Sequence, residues 1–329
     1  MIRILVHRQG ETAVREAARA ELPALLGDGG AWLWIDVEAP VGDEPMVLTE
    51  PLKLHPVVVE TCHEPSSSTR IQEFDDHLLL TVHEARLPAQ PTVDPFETAE
   101  IDVVLGPRFL LTYHEAPVDC VKQLHELLGR SAKPFVRGPA LLLHELLDRL
   151  VEAYGPVMDR LNDEIEGLEE VVVRRPDRRT LETILTLKRS LQRIRRASAR
   201  HKEILLALWR DELDLVPAEL RPYFRNVHDH LTRVADLAES YRDLLGGVLD
   251  AYLSTASSRL NEVMKFLTLI TTVMMPMTCI AGVYGMNFDR GQAGNMPELG
   301  WPYGYLFALG LMALVGLGML LYFRIRRWL

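Results

Sequence analysis

The feature that most constrains the fold of this chain is a pair of long uncharged runs near its C-terminus. Residues 266–288 and 299–323 contain no Asp, Glu, Lys or Arg. Each run of about 20 residues or more is long enough, as a helix, to cross a hydrocarbon core of about 30 Å. Buried helices of a soluble core are the alternative, but the second run has aromatic residues typical of a membrane interface at its ends, namely Tyr303, Tyr305, Tyr322 and Trp328. The sequence therefore predicts a two-span membrane hairpin.

The distribution of basic residues predicts the orientation of this hairpin. The loop between the runs carries Arg290 against Asp289 and Glu298. The outer flanks carry Arg259, Lys265, Arg324, Arg326 and Arg327. Because basic residues concentrate on the cytoplasmic side, both termini are expected to be cytoplasmic and the membrane to be the plasma (inner) membrane. The first residues, MIRILVHRQGETA, lack an apolar stretch of signal-peptide length, which agrees.

Composition and charge restrict the remaining function classes. Across 329 residues, 48% are hydrophobic and 25% charged, as in a soluble protein, so the membrane part must be localised. The net charge of -10 disfavours nucleic acid and favours cations as partners. Three scattered cysteines are too few for a disulfide framework. Without a phosphate-binding loop, a dinucleotide fingerprint or a nucleophile elbow, the sequence predicts neither an enzyme nor an organic cofactor.

The chain changes character near residue 137. Up to about residue 135, strand patterns alternate with one helical pattern, which predicts a mixed α/β domain. The predicted strands are residues 2–7, 31–38, 77–87, 99–106 and 108–115, and the predicted helix is 12–26. Beyond it, apolar residues at helical spacing predict long helices over 140–173, 180–209 and from about Pro222 to Tyr284. So long a third helix indicates a stalk packed against other helices or against copies of itself.

The third helix carries a polar or small stripe into the first uncharged run. At about 100° per residue, one arc holds Asn261, Met264, Thr268, Thr271, Met275, Thr278 and Gly282. The same arc continues back to Asp250. Such a stripe is consistent with a tight contact between helices. It is equally consistent with a pore formed by symmetry-related copies, in which Met264, Leu267 and Met275 form hydrophobic constrictions.

Several segments resemble the CorA family of divalent-cation channels. They are YGMNF at 284–288, MPEL at 296–299, DAYLSTASSRLNEVMK at 250–265, HPVVVE at 55–60 and PYFRN at 222–226. A tripeptide such as GMN is weak evidence alone, but here it closes the first of two C-terminal spans. The resemblance covers most of the chain.

The resemblance implies an α+β membrane protein that forms a funnel-shaped homopentamer. Its expected parts follow the chain in order. They are a cytoplasmic α/β/α domain (1–137), a long-helix stalk (138–264), a pore-lining span (265–288), an extracellular or periplasmic loop (289–302), a second span (303–323) and a basic cytoplasmic tail (324–329).

The resemblance also implies roles for individual residues. Asn287 would form the outer selectivity ring, with Gly285 and Met286 shaping its turn. Asn261, Met264, Leu267, Met275 and Thr278 would line the conduit, which agrees with the stripe that also holds Thr271 and Gly282. Glu298 in the loop would attract cations. Because Mg²⁺ sheds water reluctantly, a ring of neutral amides is suited to hold the hydrated ion without trapping it, and Co²⁺ and Ni²⁺ are further candidates.

The cytoplasmic regulatory positions match the family only in part. Asp250, Glu60 and Asp148 match carboxylates that bind Mg²⁺ between subunits and close the channel. Thr61 and Asn226 replace two further carboxylates of the best-studied pattern, so closure by internal Mg²⁺ is expected to be weaker or to use other acidic residues. Two alternatives remain: a Zn²⁺ transporter of the same family, and a membrane-anchored helical scaffold. The absence of an ionisable residue from the first span argues against proton coupling.

Overall fold

The computed structural model describes residues 1–8, 11, 13–40, 51–63, 68–90, 92, 94–174, 176–210, 213–287 and 296–328. The chain divides into two compact units, Met1–Asp250 and Ala251–Leu329. The first unit holds the sheet and most of the helices, and the second holds the two membrane-length apolar segments.

The described strands of the first unit form one seven-stranded mixed sheet. Its strands are β1 (Ile2–Arg8), β2 (Arg15–Glu16), β3 (Ala31–Glu38), β4 (Arg70–Glu73), β5 (Leu78–Arg86), β6 (Glu97–Leu105) and β7 (Phe109–His114). Their order is β2-β1-β3-β7-β6-β5-β4. Strands β3 and β7 pair in parallel, with Ile35 opposite Leu111, and the other pairs are antiparallel.

The described helices follow in chain order. They are α1 (Leu22–Gly27), α2 (Pro56–His63), α3 (Asp119–Arg130), α4 (Lys133–Val136), α5 (Pro139–Glu152), α6 (Tyr154–Arg174), α7 (Arg178–Trp209), α8 (Arg221–Tyr284) and α9 (Gly304–Ile325). Short 3-10 turns occur at Arg19–Glu21, Ala218–Leu220 and Pro297–Gly300.

The sheet lies between two helical layers. Alternate residues of β3, such as Leu33 and Ile35, join a buried cluster with Leu25 of α1 and Val58 of α2. Helix α5 packs against β3, β5, β6 and β7, while α6 and α7 contact β5. Because successive strand residues point to opposite faces, both faces of the sheet are covered. The expected α/β/α architecture is confirmed.

The helix predicted over 12–26 is wrong for most of its length. Arg15 and Glu16 instead form the edge strand β2, paired with Val6 and Leu5 of β1. Of the predicted range, helix α1 includes only the part from Leu22 onward. The helical preference of the alanine-rich stretch is a weak contribution, and pairing with the sheet edge overrides it.

The single helix predicted over 140–173 is also wrong. It divides at Ala153 into α5 and α6. Pro156 lacks an N–H group, and its ring would clash with the carbonyl of Glu152 in a continuous helix. Tyr154 is fully buried next to the break, which fixes the start of α6 against the core.

The two remaining long helices match their predictions. Helix α7 begins at Arg178, where the Asp177 carboxylate accepts a hydrogen bond from the Thr180 N–H at 2.8 Å. Helix α8 runs for 64 residues with Pro276 inside it, and α9 covers the second uncharged run. The segments α2, α3 and β4 were not assigned from the sequence.

Candidate functional site

Helix α9 lies against one face of the apolar part of α8. Half-buried residues recur along α8 every three or four positions, at Leu269, Val273, Met277 and Ile280. Gly316 of α9 is buried, and a Cβ added to it would overlap the methyl carbon of Met277. A residue without a side chain therefore allows close packing of the two helices at this point.

The predicted stripe lies on the opposite face of α8 and is exposed in the single chain. Met275 and Met277 are two residues apart, which places them about 200° apart around the helix. Met275 is 66% exposed and Leu267 is 57% exposed. All the predicted conduit residues are exposed, namely Asn261, Met264, Leu267, Thr271, Met275, Thr278 and Gly282.

The stripe is neutral but rich in hydrogen-bond acceptors. The hydroxyl of Thr268 donates to the carbonyl of Met264 at 2.7 Å. Thr271 and Thr278 donate in the same way, at 2.9 Å, to the carbonyls four residues earlier. Since each hydroxyl proton points back into the helix, the oxygen lone pairs are left on the exposed face.

The GMN segment begins immediately after α8 ends at Tyr284. The N–H of Gly285 donates to the carbonyl of Ala281 at 2.9 Å. A Cβ at Gly285 would lie 3.1 Å from that same carbonyl oxygen, so a side chain here would crowd the helix end. Met286 and Asn287 follow and are exposed, and Phe288 lies outside the described residues.

Glu298 is the described part of the predicted loop site. It is half-buried in the turn Pro297–Gly300, and its backbone carbonyl accepts a hydrogen bond from the N–H of Trp301 at 3.1 Å. Met296, just before this turn, has a φ of 42°, in the left-handed region. The loop residues 288–295 are outside the described part of the chain.

The predicted regulatory carboxylates all lie in the first unit. Glu60 on α2 and Asp250 on α8 are exposed, and Asp148 on α5 is half-buried. Among the described residues, no group of three or more His, Cys, Asp or Glu side chains is placed to hold one metal ion. One chain therefore does not assemble Glu60, Asp148 and Asp250 into a complete metal site.

Thr61 occupies a different environment from its exposed neighbour Glu60. It is only 6% exposed, and its hydroxyl accepts a hydrogen bond from Arg70 Nη2 at 3.0 Å. A guanidinium on β4 thus binds the side chain that follows Glu60 in the sequence. Asn226, the other departure, is exposed on α8.

Two contacts at the site were missed from the sequence. Arg70 was not considered because β4 was not predicted. The packing of Gly316 on Met277 was also missed, although glycines within the second run, such as Gly310, Gly316 and Gly318, are a typical sign of close contact between membrane helices.

The chain combines a large α/β/α unit, a 64-residue helix ending in an apolar segment and a second apolar helix, and both apolar segments are long enough to cross a membrane. The apolar segments have mean hydropathies of 1.8 and 2.3. The chain belongs to the CorA family, since residues 29–327 match the family described as CorA-like Mg²⁺ transporter protein.

Curated relatives and a solved structure agree with this membership. The chain is 34% identical over 278 residues to the cobalt/magnesium transport protein CorA of Thermotoga maritima, covering 84% of this chain and 77% of that one. It is 30% identical over 298 residues to the putative metal ion transporter YfjQ of Bacillus subtilis, covering 91% and 90%. The complete structure of the CorA magnesium transporter from Methanocaldococcus jannaschii has a similar fold, with a TM-score of 0.84 at 23% identity over 99% of this chain and 98% of that one.

Family membership fixes the broad function. The chain is a divalent-cation transporter of the membrane and not an enzyme. The geometry of α8 is the basis for inferring the preferred ion, the assembly and the roles of single residues.

Proposed function

We propose that this chain assembles into a homopentamer that conducts Mg²⁺ passively into the cell through a pore lined by α8. The observation that carries the proposal is the exposed polar stripe on the face of α8 opposite Met277, where α9 packs. The hydroxyls of Thr268, Thr271 and Thr278 already donate to their own helix, but their acceptor lone pairs would have no partner if they faced lipid tails. If several copies of the chain turn this face toward a common water-filled axis, water supplies the missing hydrogen-bond partners.

The stripe has the chemistry of a conduit for a hydrated cation. Because the hydroxyls of Thr271 and Thr278 donate their protons to their own helix, their oxygens are free to accept hydrogen bonds from the waters around the ion. Along the stripe, the exposed apolar side chains of Met264, Leu267 and Met275 alternate with the polar residues. In a pore, rings of such side chains form narrow hydrophobic constrictions that close by dewetting, so these residues are the proposed gate.

Asn287 is the proposed selectivity residue at the outer end. The close approach of Gly285 to the carbonyl of Ala281 ends the helix sharply and leaves Asn287 exposed beyond it. A ring of five amide oxygens would recognise Mg²⁺ through its retained waters and release it again. Carboxylates would bind the ion more tightly and slow its release.

Mg²⁺ is the proposed main cargo, with Co²⁺ as a second. The name of the Thermotoga maritima relative, cobalt/magnesium transport protein, supports this pair of ions. Ni²⁺ is a further candidate because it also travels as a hexahydrate. Zn²⁺ transport is the competing proposal within the same family, and a direct comparison of ions distinguishes them.

Internal divalent cations are proposed to close the channel through Asp250, Glu60 and Asp148, contributed by neighbouring subunits. Arg70 supports a weakened version of this mechanism, because its guanidinium binds the hydroxyl of Thr61, where the family pattern has a carboxylate, and so brings positive rather than negative charge to that position. Asp250→Ala should relieve inhibition by internal Mg²⁺. Unchanged inhibition in Asp250→Ala would remove this carboxylate from the sensor.

Uptake into liposomes tests the proposed pore. Purified protein is reconstituted, and entry of Mg²⁺, Co²⁺ and Zn²⁺ is followed with an indicator dye in wild type and Asn287→Ala. Asn162→Ala is the matched control, since Asn162 is a half-buried asparagine of α6 in the first unit, and its amide donates to Glu166 at 2.7 Å. Altered ion selectivity in Asn287→Ala alone supports the selectivity ring, and equal behaviour of the two variants removes it.

The assembly and the function are tested separately. Light scattering of the detergent-solubilised protein should give five times the mass of the chain. A pentamer with no uptake of any of the three ions would support the scaffold alternative, for which the polar stripe has no use. A monomer would overturn the proposed pore directly.

A further inference from the structure

A basic cleft lies in the first unit, distant in sequence from the proposed pore. It has a volume of about 340 Å³ and is formed where α7 crosses the ends of β4, β5 and β6. Its lining residues are Thr69, His83, Phe96, Thr98, Arg193, Arg196, Ala197 and Arg200. Among the described residues, the lining includes three arginines and neither Asp nor Glu, in a chain of net charge -10.

The arginines share one face of α7 because they are three and four residues apart. Like charges at this spacing destabilise a helix slightly, and the segment Arg189–Arg200 has no Asp or Glu to offset them. A negatively charged ligand bound by these arginines would offset the repulsion between them.

Two of the three arginines are held in place by the protein. Arg193 Nη2 contacts Asp94 Oδ2 and donates to the carbonyl of Phe96 at 2.9 Å, with its guanidinium 5.3 Å from the Phe96 ring centre. Arg200 Nη1 donates to Ser68 Oγ at 3.2 Å. Each guanidinium has five N–H donors, so both keep donors for a further partner.

Arg196 lies between Arg193 and Arg200 in the sequence but, unlike them, is not held by another described side chain. Within the part of the chain that the structure describes, it has no ion pair, hydrogen bond or ring contact with another residue. Asp94 is already engaged by Arg193 and by the Ser190 hydroxyl at 2.6 Å. The guanidinium of Arg196 is therefore exposed, lines the cleft and has no ion pair among the described residues.

The rest of the lining supplies neutral donors from a second direction. Thr98 and Thr69 contribute hydroxyls from the sheet side, and Thr69 Oγ1 is 3.0 Å from Nδ1 of the buried His83. Two acids lie just beyond the lining: Asp94, which contacts Arg193, and Glu100, whose Oε2 is 3.8 Å from His83 Nε2. Guanidinium forks bind phosphoryl oxygens in bidentate fashion, and polar groups on two sides of the cleft suit the tetrahedral arrangement of those oxygens.

We propose that this cleft binds a phosphate-bearing small anion, with the phosphoryl group held by Arg196 and flanked by Arg193 and Arg200. The volume lies at the lower end of the range of about 300–1,000 Å³ typical of small-molecule sites. It admits a phosphoryl group with a modest substituent. Free phosphate and the phosphates of a nucleotide share this chemistry, and the experiment separates them.

The test measures anion binding to the full-length protein in detergent, with EDTA present so that metal ions cannot bridge. Inorganic phosphate, pyrophosphate and adenosine triphosphate are titrated by calorimetry into wild type, Arg196→Gln and Arg189→Gln. Arg189 is the matched control, because it is exposed on the same helix about 10 Å away and does not line the cleft. Both variants remove one positive charge.

Saturable binding to wild type should weaken about tenfold in Arg196→Gln, as expected for loss of one charge-assisted hydrogen bond, and less than twofold in Arg189→Gln. Tighter binding of the nucleoside triphosphate than of both phosphate and pyrophosphate would identify a nucleotide, and binding of phosphate at least as tight as that of the other two would identify free phosphate. No saturable binding of any of the three, or equal weakening in both variants, overturns the proposal. Because Arg196 is exposed, unchanged thermal melting of Arg196→Gln is expected and serves as the folding check.

Discussion

The methyl group of Met277 on α8 fills the space left by the absent side chain of Gly316 on α9. This contact fixes which face of α8 is covered by the second apolar helix, and therefore which face is left for other copies of the chain. It is the structural basis of the proposed pore orientation.

Gly316→Leu should destabilise the packing of α9 on α8. The added side chain overlaps Met277, and overpacking of this kind typically costs about 1–3 kcal/mol. Thermal unfolding in detergent should show a lower midpoint for Gly316→Leu. Gly318→Leu is the control, because a Cβ at Gly318 meets no atom within 4 Å in the single chain. If Met277→Ala fails to rescue Gly316→Leu, another contact governs the pairing.

Thr271→Val should reduce ion flux severalfold in liposomes. It removes an acceptor oxygen from the exposed stripe while keeping the shape of the side chain, and the bond to the Leu267 carbonyl is lost with it. Thr272→Val, at the adjacent half-buried position, makes the same chemical change away from the stripe and should leave flux nearly unchanged. Equal loss at both positions would show that helix stability, rather than the stripe, controls flux.

Asp36→Asn should destabilise the first unit strongly. The buried carboxylate is bound by His125 Nε2 at 2.8 Å and His114 Nε2 at 3.2 Å, and it accepts from the Thr112 hydroxyl at 2.6 Å. Removing one partner of a buried ion pair typically costs about 3–5 kcal/mol. Asp76→Asn is the control, since Asp76 also contacts a histidine, His77, but is 57% exposed and should change stability by less than about 1 kcal/mol.

The effect of Asp36→Asn should depend on pH. Burial would raise the pKa of Asp36, but the hydrogen bonds from His114, His125 and Thr112 outweigh it and hold the pKa well below its usual range. Burial would lower the pKa of His114, but its bond to Asp36 raises it above its usual value. The stabilisation is lost as pH falls through the Asp36 pKa and as pH rises through the His114 pKa. The difference in unfolding free energy between wild type and Asp36→Asn, measured by chemical denaturation, should therefore be largest between about pH 4 and 6.5. A difference that does not change with pH would contradict this pairing.

Asp102→Asn should stabilise the protein at neutral and higher pH. Burial, reinforced by the nearby Glu100, raises the pKa of Asp102 to about 7, although the Thr81 hydroxyl bond at 2.6 Å and Arg70 act in the other direction. The folded state then holds a proton that the unfolded state releases, so wild-type stability falls as pH rises from about 4 to about 7.

Asparagine at position 102 keeps an acceptor for Thr81 without the charge. The slope of stability against pH should flatten, with a gain at pH 8 of at most about 4 kcal/mol, the value of a shift of about three pKa units. Asp75→Asn is the control, because Asp75 is exposed on the loop before β5. An unaltered slope in Asp102→Asn would mean that another group is responsible for the pH dependence.

The elements with the strongest patterns were predictable from the sequence. The uninterrupted helical period from Pro222 to Tyr284 matches α8, and the apolar alternation around Ile35 and Leu111 matches β3 and β7. In these segments, local propensity and burial favour the same structure, so no knowledge of distant partners is needed.

The errors occur where a distant partner decides the structure. Arg15 and Glu16 form a strand only because β1 offers an unpaired edge, and no local pattern contains that information. The bond from Arg70 to Thr61 joins two elements, and the cleft around Arg196 forms only when α7 crosses the sheet. By contrast, the break at Ala153 was readable, since Gly155 and Pro156 are local signals that the strong apolar period obscured.

The direction of the threonine hydroxyl bonds bears on what the proposed pore excludes. Each of Thr268, Thr271 and Thr278 directs its proton to a carbonyl of its own helix. Transfer of protons along a file of water requires groups that take up a proton on one side while giving one away on the other. Hydroxyls held in this way accept hydrogen bonds from neighbouring waters and donate none to them, so they are not links in a proton relay. A hydrated cation on this path would pass these threonines without exchanging a proton with them.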